Sequence, residues 1–224
     1  MSRCRNFPAL ILLWSILSIL TFGADELKTI PVKSRQMVKV FDATGHAAKM
    51  ARFEKDGSGW KQVGASWRVV IGRNGLGKER EGDGRTPTGI FGLGEVYGNR
   101  MVETPMPFFL TADRKLICVD DAASRYYNRI VDRSRIVKDF GSFEEMYRED
   151  GLYDIVVTLG YNTQHEPGRG SCIFLHIANG NSPTAGCIAM TKEKLEALVK
   201  WLDPKKRPVV VIERWKPAAR FAMR

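Results

Sequence analysis

From Met37 onward the chain is a series of short apolar runs, many of them β-branched, broken by clusters of turn formers. Met37 to Phe41 and Ala47 to Phe53 flank Asp42-Ala-Thr-Gly45 and predict a hairpin. Ser66 to Ile71 predicts a further strand, followed by a glycine-dense loop over 72–84. Phe108–Leu110, Leu116–Val119, Asp154–Leu159, Cys172–Ile177 and Pro208–Glu213 continue the series, and Thr86-Pro-Thr-Gly-Ile-Phe91 reads as a tight turn leading into a strand. Helical spacing is rarer. Thr191 is a good N-cap, and Leu195, Leu198, Val199 and Leu202 fall at helical intervals up to Trp201 or Leu202. Ser142 to Arg148 predicts a second helix. The pattern shows no repeat and no change of composition that would mark a second domain.

One segment carries candidate chemistry. In a strand over 172–177, Cys172, Phe174 and His176 share a face, with His176 at the strand's exit. Asn179-Gly-Asn-Ser-Pro183 is rich in turn formers, so the chain is expected to reverse there and bring Cys187 back beside the strand end. A cysteine attacks carbonyl carbon as thiolate, and a histidine within reach takes its proton; this is acyl-transfer chemistry. Gly186 leaves room for a substrate carbonyl, and the backbone N–H groups of Gly186 and Cys187 are candidates to hold the oxyanion.

Met1 to about Ala24 combines Arg3 and Arg5, an apolar run from Phe7 to Phe22 and small residues at Gly23-Ala24, the pattern of a secretory signal peptide. Uncleaved, it would serve as a membrane anchor, although the run is shorter than the roughly 20 residues a spanning helix prefers. The expected organisation is a signal peptide over 1–24, a short linker over 25–36, one domain over 37–214 and a tail over 215–224. Export to the periplasm or cell envelope argues against a nucleic-acid partner despite a net charge of +10. The basic excess suits an anionic polymer as neighbour or merely aids solubility, and Lys205-Lys206-Arg207 reads as a solvated helix end.

Without Cys4, three cysteines remain, an odd number for an oxidising compartment. Cys187 is the candidate free thiol; Cys118 and Cys172 either pair or stand as two buried thiols in apolar runs. Cys172, His176 and Cys187 lack metal-ligand spacing, so no metal or organic cofactor is expected. Gly72 to Lys78 fits a phosphate-loop pattern, but Glu79 stands where a Ser or Thr should hold Mg²⁺ and Pro87 obstructs the required helix. His46, in the hairpin turn, and His165, in a Gln-His-Glu-Pro loop, read as ordinary surface residues. Tyr126, Tyr127 and Asn128 read as packing or turn-capping residues.

Taken together, Lys78-Glu-Arg-Glu-Gly-Asp-Gly-Arg-Thr-Pro-Thr-Gly-Ile-Phe91, Cys118-Val-Asp-Asp121, Tyr126-Tyr-Asn-Arg-Ile-Val131, Gly160-Tyr-Asn162, Gly170-Ser-Cys-Ile-Phe-Leu-His176 and Pro183-Thr-Ala-Gly-Cys187 resemble the L,D-transpeptidase catalytic-domain family from about Met37 to Arg214. The resemblance implies a mainly β fold with flanking helices (α+β), a mixed-sheet β-sandwich. It also implies a cysteine acyltransferase acting on peptidoglycan stem peptides. Cys187 would be the nucleophile and His176 the base, then acid, its second nitrogen oriented by a backbone carbonyl. Tyr161, Asn162, Thr184, Arg85 and Arg169 would be candidate substrate contacts, with Lys78 a further cation for a stem-peptide carboxylate. The commoner family pattern has His where this chain has Ala185, and Arg or Asn where it has Ala189, so substrate contacts there differ. Hydrolysis of the same bonds and a non-catalytic wall-binding module are the alternatives. A papain-like protease would place its cysteine upstream of its histidine, the reverse of the order here.

Overall fold

The computed structural model describes residues 30–213. The expected signal peptide over 1–24 and the tail over 215–224 lie outside them. Twelve strands are formed among these residues: β1 (Gln36–Thr44), β2 (Ala47–Asp56), β3 (Gly59–Val70), β4 (Gly89–Gly98), β5 (Phe108–Leu110), β6 (Leu116–Val119), β7 (Arg129–Asp132), β8 (Phe143–Glu145), β9 (Val156–Leu159), β10 (Phe174–Ile177), β11 (Ile188–Met190) and β12 (Val209–Ile212). Among the described residues one α-helix, α1 (Lys192–Trp201), precedes a 3₁₀ turn at Pro204–Lys206. The fold is mainly β with mixed sheets, as the resemblance implies.

Nine strands form one sheet in the order β12-β1-β2-β3-β11-β10-β9-β4-β5, and an added β12–β4 pairing closes it on itself. Its interior is filled by Val38, Val40, Met50, Leu175, Ile188 and Val210, together with Leu195, Leu198 and Val199 from α1. The helix packs into this core through the apolar stripe read from the sequence. Its C-terminal end is held by buried Gln36, whose amide donates to Trp201 O and accepts from Asp203 N–H. β1 and β12 are buried on both faces because Met37, Phe41, Val209 and Val211 build a second cluster on the sheet's outer side. Runs without alternation mark such doubly covered strands.

β7-β6-β8 form a small separate sheet, which lies over the outer face of β9 and β10 through a cluster containing Cys118, Met146, Tyr153, Val156 and Phe174. Here the sequence-based expectation of a helix over Ser142–Arg148 is overturned. Phe143–Glu145 pair with Ile117–Val119 as a strand, Phe143 packs edge-on against Phe140, and Met146 is fully buried. Cross-strand pairing and burial outweigh weak local helix propensity. β7 and β11, too short to show a period, have no sequence signature.

Cys118 and Cys172 form a disulfide, which decides between the two alternatives left open for them, and Cys187 is the free cysteine among the described residues.

Candidate active site

The strand expected over Cys172–Ile177 begins only at Phe174, because Cys172 adopts φ 53°. From there the side chains alternate. Ile173 and Leu175 enter the interior core, whereas Phe174 joins Cys172 and Cys187 in the outer cluster. The chain does not reverse after β10 as expected. It loops over 178–187 and returns as β11 parallel to β10, with Leu175 opposite Ile188 and His176 opposite Ala189. Parallel neighbours in register place their side chains on the same face. Cys187, one residue before Ile188, therefore lies beside Phe174, on the face that carries His176.

Both groups are buried, Cys187 to 7% and His176 to 8% of full exposure. His176 Nδ1 lies 2.8 Å from Ile177 O. A carbonyl only accepts, so Nδ1 carries the proton and Nε2 is left with its lone pair. This is the backbone carbonyl expected to orient the ring. Burial drives the imidazole pKa down to about 4, with Arg148 reinforcing it against the Ile177 hydrogen bond. The ring is thus neutral, a competent base, at any pH well above that value. The Cys187 thiol accepts from Phe174 N–H and donates to Cys172 O, each at 3.3 Å. Burial first, and then the Glu144 carboxylate, push its pKa well up, with Lys78 acting weakly the other way. At rest both groups are neutral, and the thiol's hydrogen bonds go to the backbone of Cys172 and Phe174 rather than to the ring.

The loop carrying the thiol is braced from two sides. Thr86 Oγ1, fully buried, donates to Gly186 O at 2.7 Å and accepts from Gly72 N–H. Thr184 Oγ1 donates to Cys187 O at 2.6 Å and accepts from Gly186 N–H at 3.2 Å. The Thr-Pro-Thr-Gly turn is therefore a support of the loop that carries Cys187. Gly186 is needed for close approach: a Cβ there would sit 3.0 Å from both Arg85 O and Ile173 Cδ1.

A family model for the L,D-transpeptidase catalytic domain (YkuD) matches residues 46–211, most of the chain and all of this site. The chain belongs to the L,D-transpeptidase catalytic-domain family. No curated protein sequence matches it. Among solved structures it is similar to the helical cell shape determining protein Pgp2 from Campylobacter jejuni, at 18% identity and TM-score 0.38, covering 81% of this chain and 48% of that one. A lysine-to-alanine variant of Pgp2 matches with TM-score 0.39 at the same identity and coverage. The chain thus spans about half the length of the structures it matches.

Within this L,D-transpeptidase domain, the other expected contact residues are largely engaged in the protein's own loops. Lys78 is buried against Asp83 at 3.0 Å. Burial opposes ionisation of that carboxyl, yet N–H groups of Glu79 and Arg85 and the Lys78 ammonium hold its pKa at about 2. Arg85 donates to Leu76 O, and Arg169 pairs with Glu166 on the surface. Tyr161 OH donates to Arg169 O, and Asn162, at φ 50°, bonds Glu166 and Gly170 within one turn. Thr184 is occupied as described.

Three residues near the pair, Glu81, Glu144 and Tyr153, were given no role by the sequence reading, and a fourth, Asn128, was read only as a packing or capping residue. Glu81 accepts from Tyr127 OH and Ser171 Oγ, tying the 72–86 loop to the segment entering β10. Asn128 Oδ1 accepts from Cys172 N–H, so the Tyr126–Asn128 turn does pack and cap, as expected, but at the site itself. Tyr153 lies edge-on to both Phe174 and His176 and donates to Glu144 Oε2 at 2.6 Å, with Arg148 over its ring. Glu81 and Asn128 stand inside motifs of the resemblance. Glu144 and Tyr153 have no sequence signal, because only the small sheet's placement brings them there.

Proposed function

We propose that this protein is an exported L,D-transpeptidase that works on peptidoglycan stem peptides through a thioester at Cys187. The observation that carries this reading is the shared face of Cys187 and His176 on two parallel neighbouring strands, with Nδ1 held by Ile177 O so that Nε2 is the available base. In the forward step Nε2 takes the thiol proton as Sγ attacks the carbonyl carbon between diaminopimelate and terminal D-alanine. The tetrahedral oxyanion is assigned to the backbone at Gly186 and Cys187, for which Gly186 N–H exchanges its Thr184 partner for substrate. The imidazolium then protonates the D-alanine nitrogen, the C–N bond breaks, and the thioester remains. An acceptor amine, losing its proton to Nε2, attacks the thioester and releases the thiol.

Thiolate formation in so dry a site is unfavourable in isolation, so proton transfer to His176 is expected to accompany attack rather than precede it. The same exclusion of water favours transfer over hydrolysis of the thioester. A thiol-reactive carbapenem tests the nucleophile: wild type should gain one adduct on the Cys187 peptide and Cys187→Ser none. Equal labelling of both proteins would remove the assignment. His176→Gln should retain substrate binding while lowering turnover by about 10³-fold.

A further inference from the structure

Gly72 to Lys78 has the outline of a phosphate loop without being one, and its lysine is put to another use. The Lys78 side chain ends inside the protein, 2% exposed, in its salt bridge with Asp83 at 3.0 Å. It gets there past two glycines. A Cβ on Gly170 would stand 2.2 Å from Lys78 Cε, and one on Gly186 would stand 3.6 Å from Nζ. The ammonium therefore lies against the backbone of the residue that precedes the thiol. The main chain is tied to the same place, since Lys78 N–H donates to Thr86 O and Thr86 Oγ1 donates to Gly186 O.

The charge at Nζ is only partly answered. An ammonium has three N–H donors, and Asp83 is its one hydrogen-bond partner among the described residues. That carboxylate also accepts from the N–H groups of Glu79, Arg80 and Arg85, so its own charge is shared. A buried ammonium with donors to spare leaves a positive field in a site where water is excluded and charge acts more strongly than in water. Glu144 is the other ion near the thiol. It stands on β8 opposite Cys118, in the small sheet that covers the site, and it opposes ionisation of Cys187 whereas Lys78 favours it. Negative charge arising at Sγ is thus repelled from the small sheet and drawn toward Gly186, where the oxyanion is assigned.

We propose that Lys78 is the fixed cation of the loop that carries Cys187, where it stabilises the negative charge that moves from Sγ to the carbonyl oxygen during attack. The thiol proton still goes to His176 Nε2, and Lys78 keeps its own. It acts across the Gly186 backbone and not by contact with the reacting atoms. The inference rests on the thioester reaction proposed above, and it explains why a lysine is threaded past Gly170 and Gly186 instead of being left in solvent.

The test follows single-turnover acylation of Cys187 by a carbapenem, which requires the thiol but no wall substrate. Lys78→Met keeps the length of the side chain, and Lys78→Gln keeps a donor for Asp83; both remove the charge. Each should lower the acylation rate constant by at least about tenfold in protein shown by thermal melts to be folded, and Lys78→Gln carries the comparison if Lys78→Met does not fold. Lys78→Ala should regain rate on addition of propylammonium, which replaces the lost chain together with its cation. Propanol, of similar shape but neutral, should raise the melting temperature without restoring the rate. A purely structural role would make the two additives equivalent. Acylation of Lys78→Met or Lys78→Gln at the wild-type rate, or equal rescue by propanol, overturns the role of Lys78 alone. A wild type whose Cys187 takes up no carbapenem overturns the thioester reaction and this inference with it.

Discussion

Thr86 bears more on the site than its distance in sequence suggests, since one buried hydroxyl joins Gly72 N–H to Gly186 O. Thr86→Val keeps the shape and removes the hydroxyl, leaving a buried donor and acceptor without this partner. It should lower unfolding free energy by about 2 kcal/mol and slow turnover, both read by denaturant melts and steady-state assays. His176 makes a second prediction at this scale. Its folded pKa of about 4 lies below the ordinary 6.5, so between these values the unfolded chain binds the proton that the native ring refuses. Its contribution to stability is therefore fully present above pH 6.5 and is lost as pH falls toward 4, up to ~3 kcal/mol in all. In His176→Gln that component of the acid sensitivity should be missing from melts taken across the same window. Cys187 and His176 were legible in the sequence because both lie in one short segment with Gly186 beside the thiol. Glu144 and Tyr153 were not, because they come to the site only through the packing of the small sheet.

Among the elements, the strands with a clear apolar run and the stripe of α1 were readable. β8 was misread as helix because its three residues gain their identity from β6. That small sheet is joined to the site at residue 172, whose side chain is bonded to Cys118, whose N–H meets Asn128, and whose carbonyl takes the Cys187 thiol. Cys172 holds a positive φ of 53°, a conformation that non-glycine residues enter at a cost of about 1–2 kcal/mol. Reduction of the disulfide, which spans 54 residues, should cost roughly 4 kcal/mol in the loop-entropy account. It should also raise the rate at which iodoacetamide modifies Cys187, measured peptide by peptide so that the released thiols are counted separately. An unchanged rate at Cys187 in reduced, still folded protein would contradict the role given to this sheet as the cover of the thiol.

At the scale of the whole molecule, closure of the large sheet through β12–β4 gives the parallel β10–β11 pair a rigid base, and the small sheet shields one side of it. Closure was not legible, since it depends on which distant strands meet; strand content and family resemblance were. The net charge of +10 adds a consequence for encounter with an anionic wall. Co-sedimentation with purified sacculi should weaken steeply as salt rises past about 0.15 M, where the screening length falls below about 8 Å. The central claim, that one thiol passes an acyl group from a stem peptide to an amine, is tested most directly by the products formed from purified disaccharide-tetrapeptide. Wild type should release D-alanine and yield cross-linked or D-amino-acid-exchanged muropeptides, and Cys187→Ser should yield neither. Disaccharide-tripeptide as the sole product, or equal products from the two proteins, would contradict it.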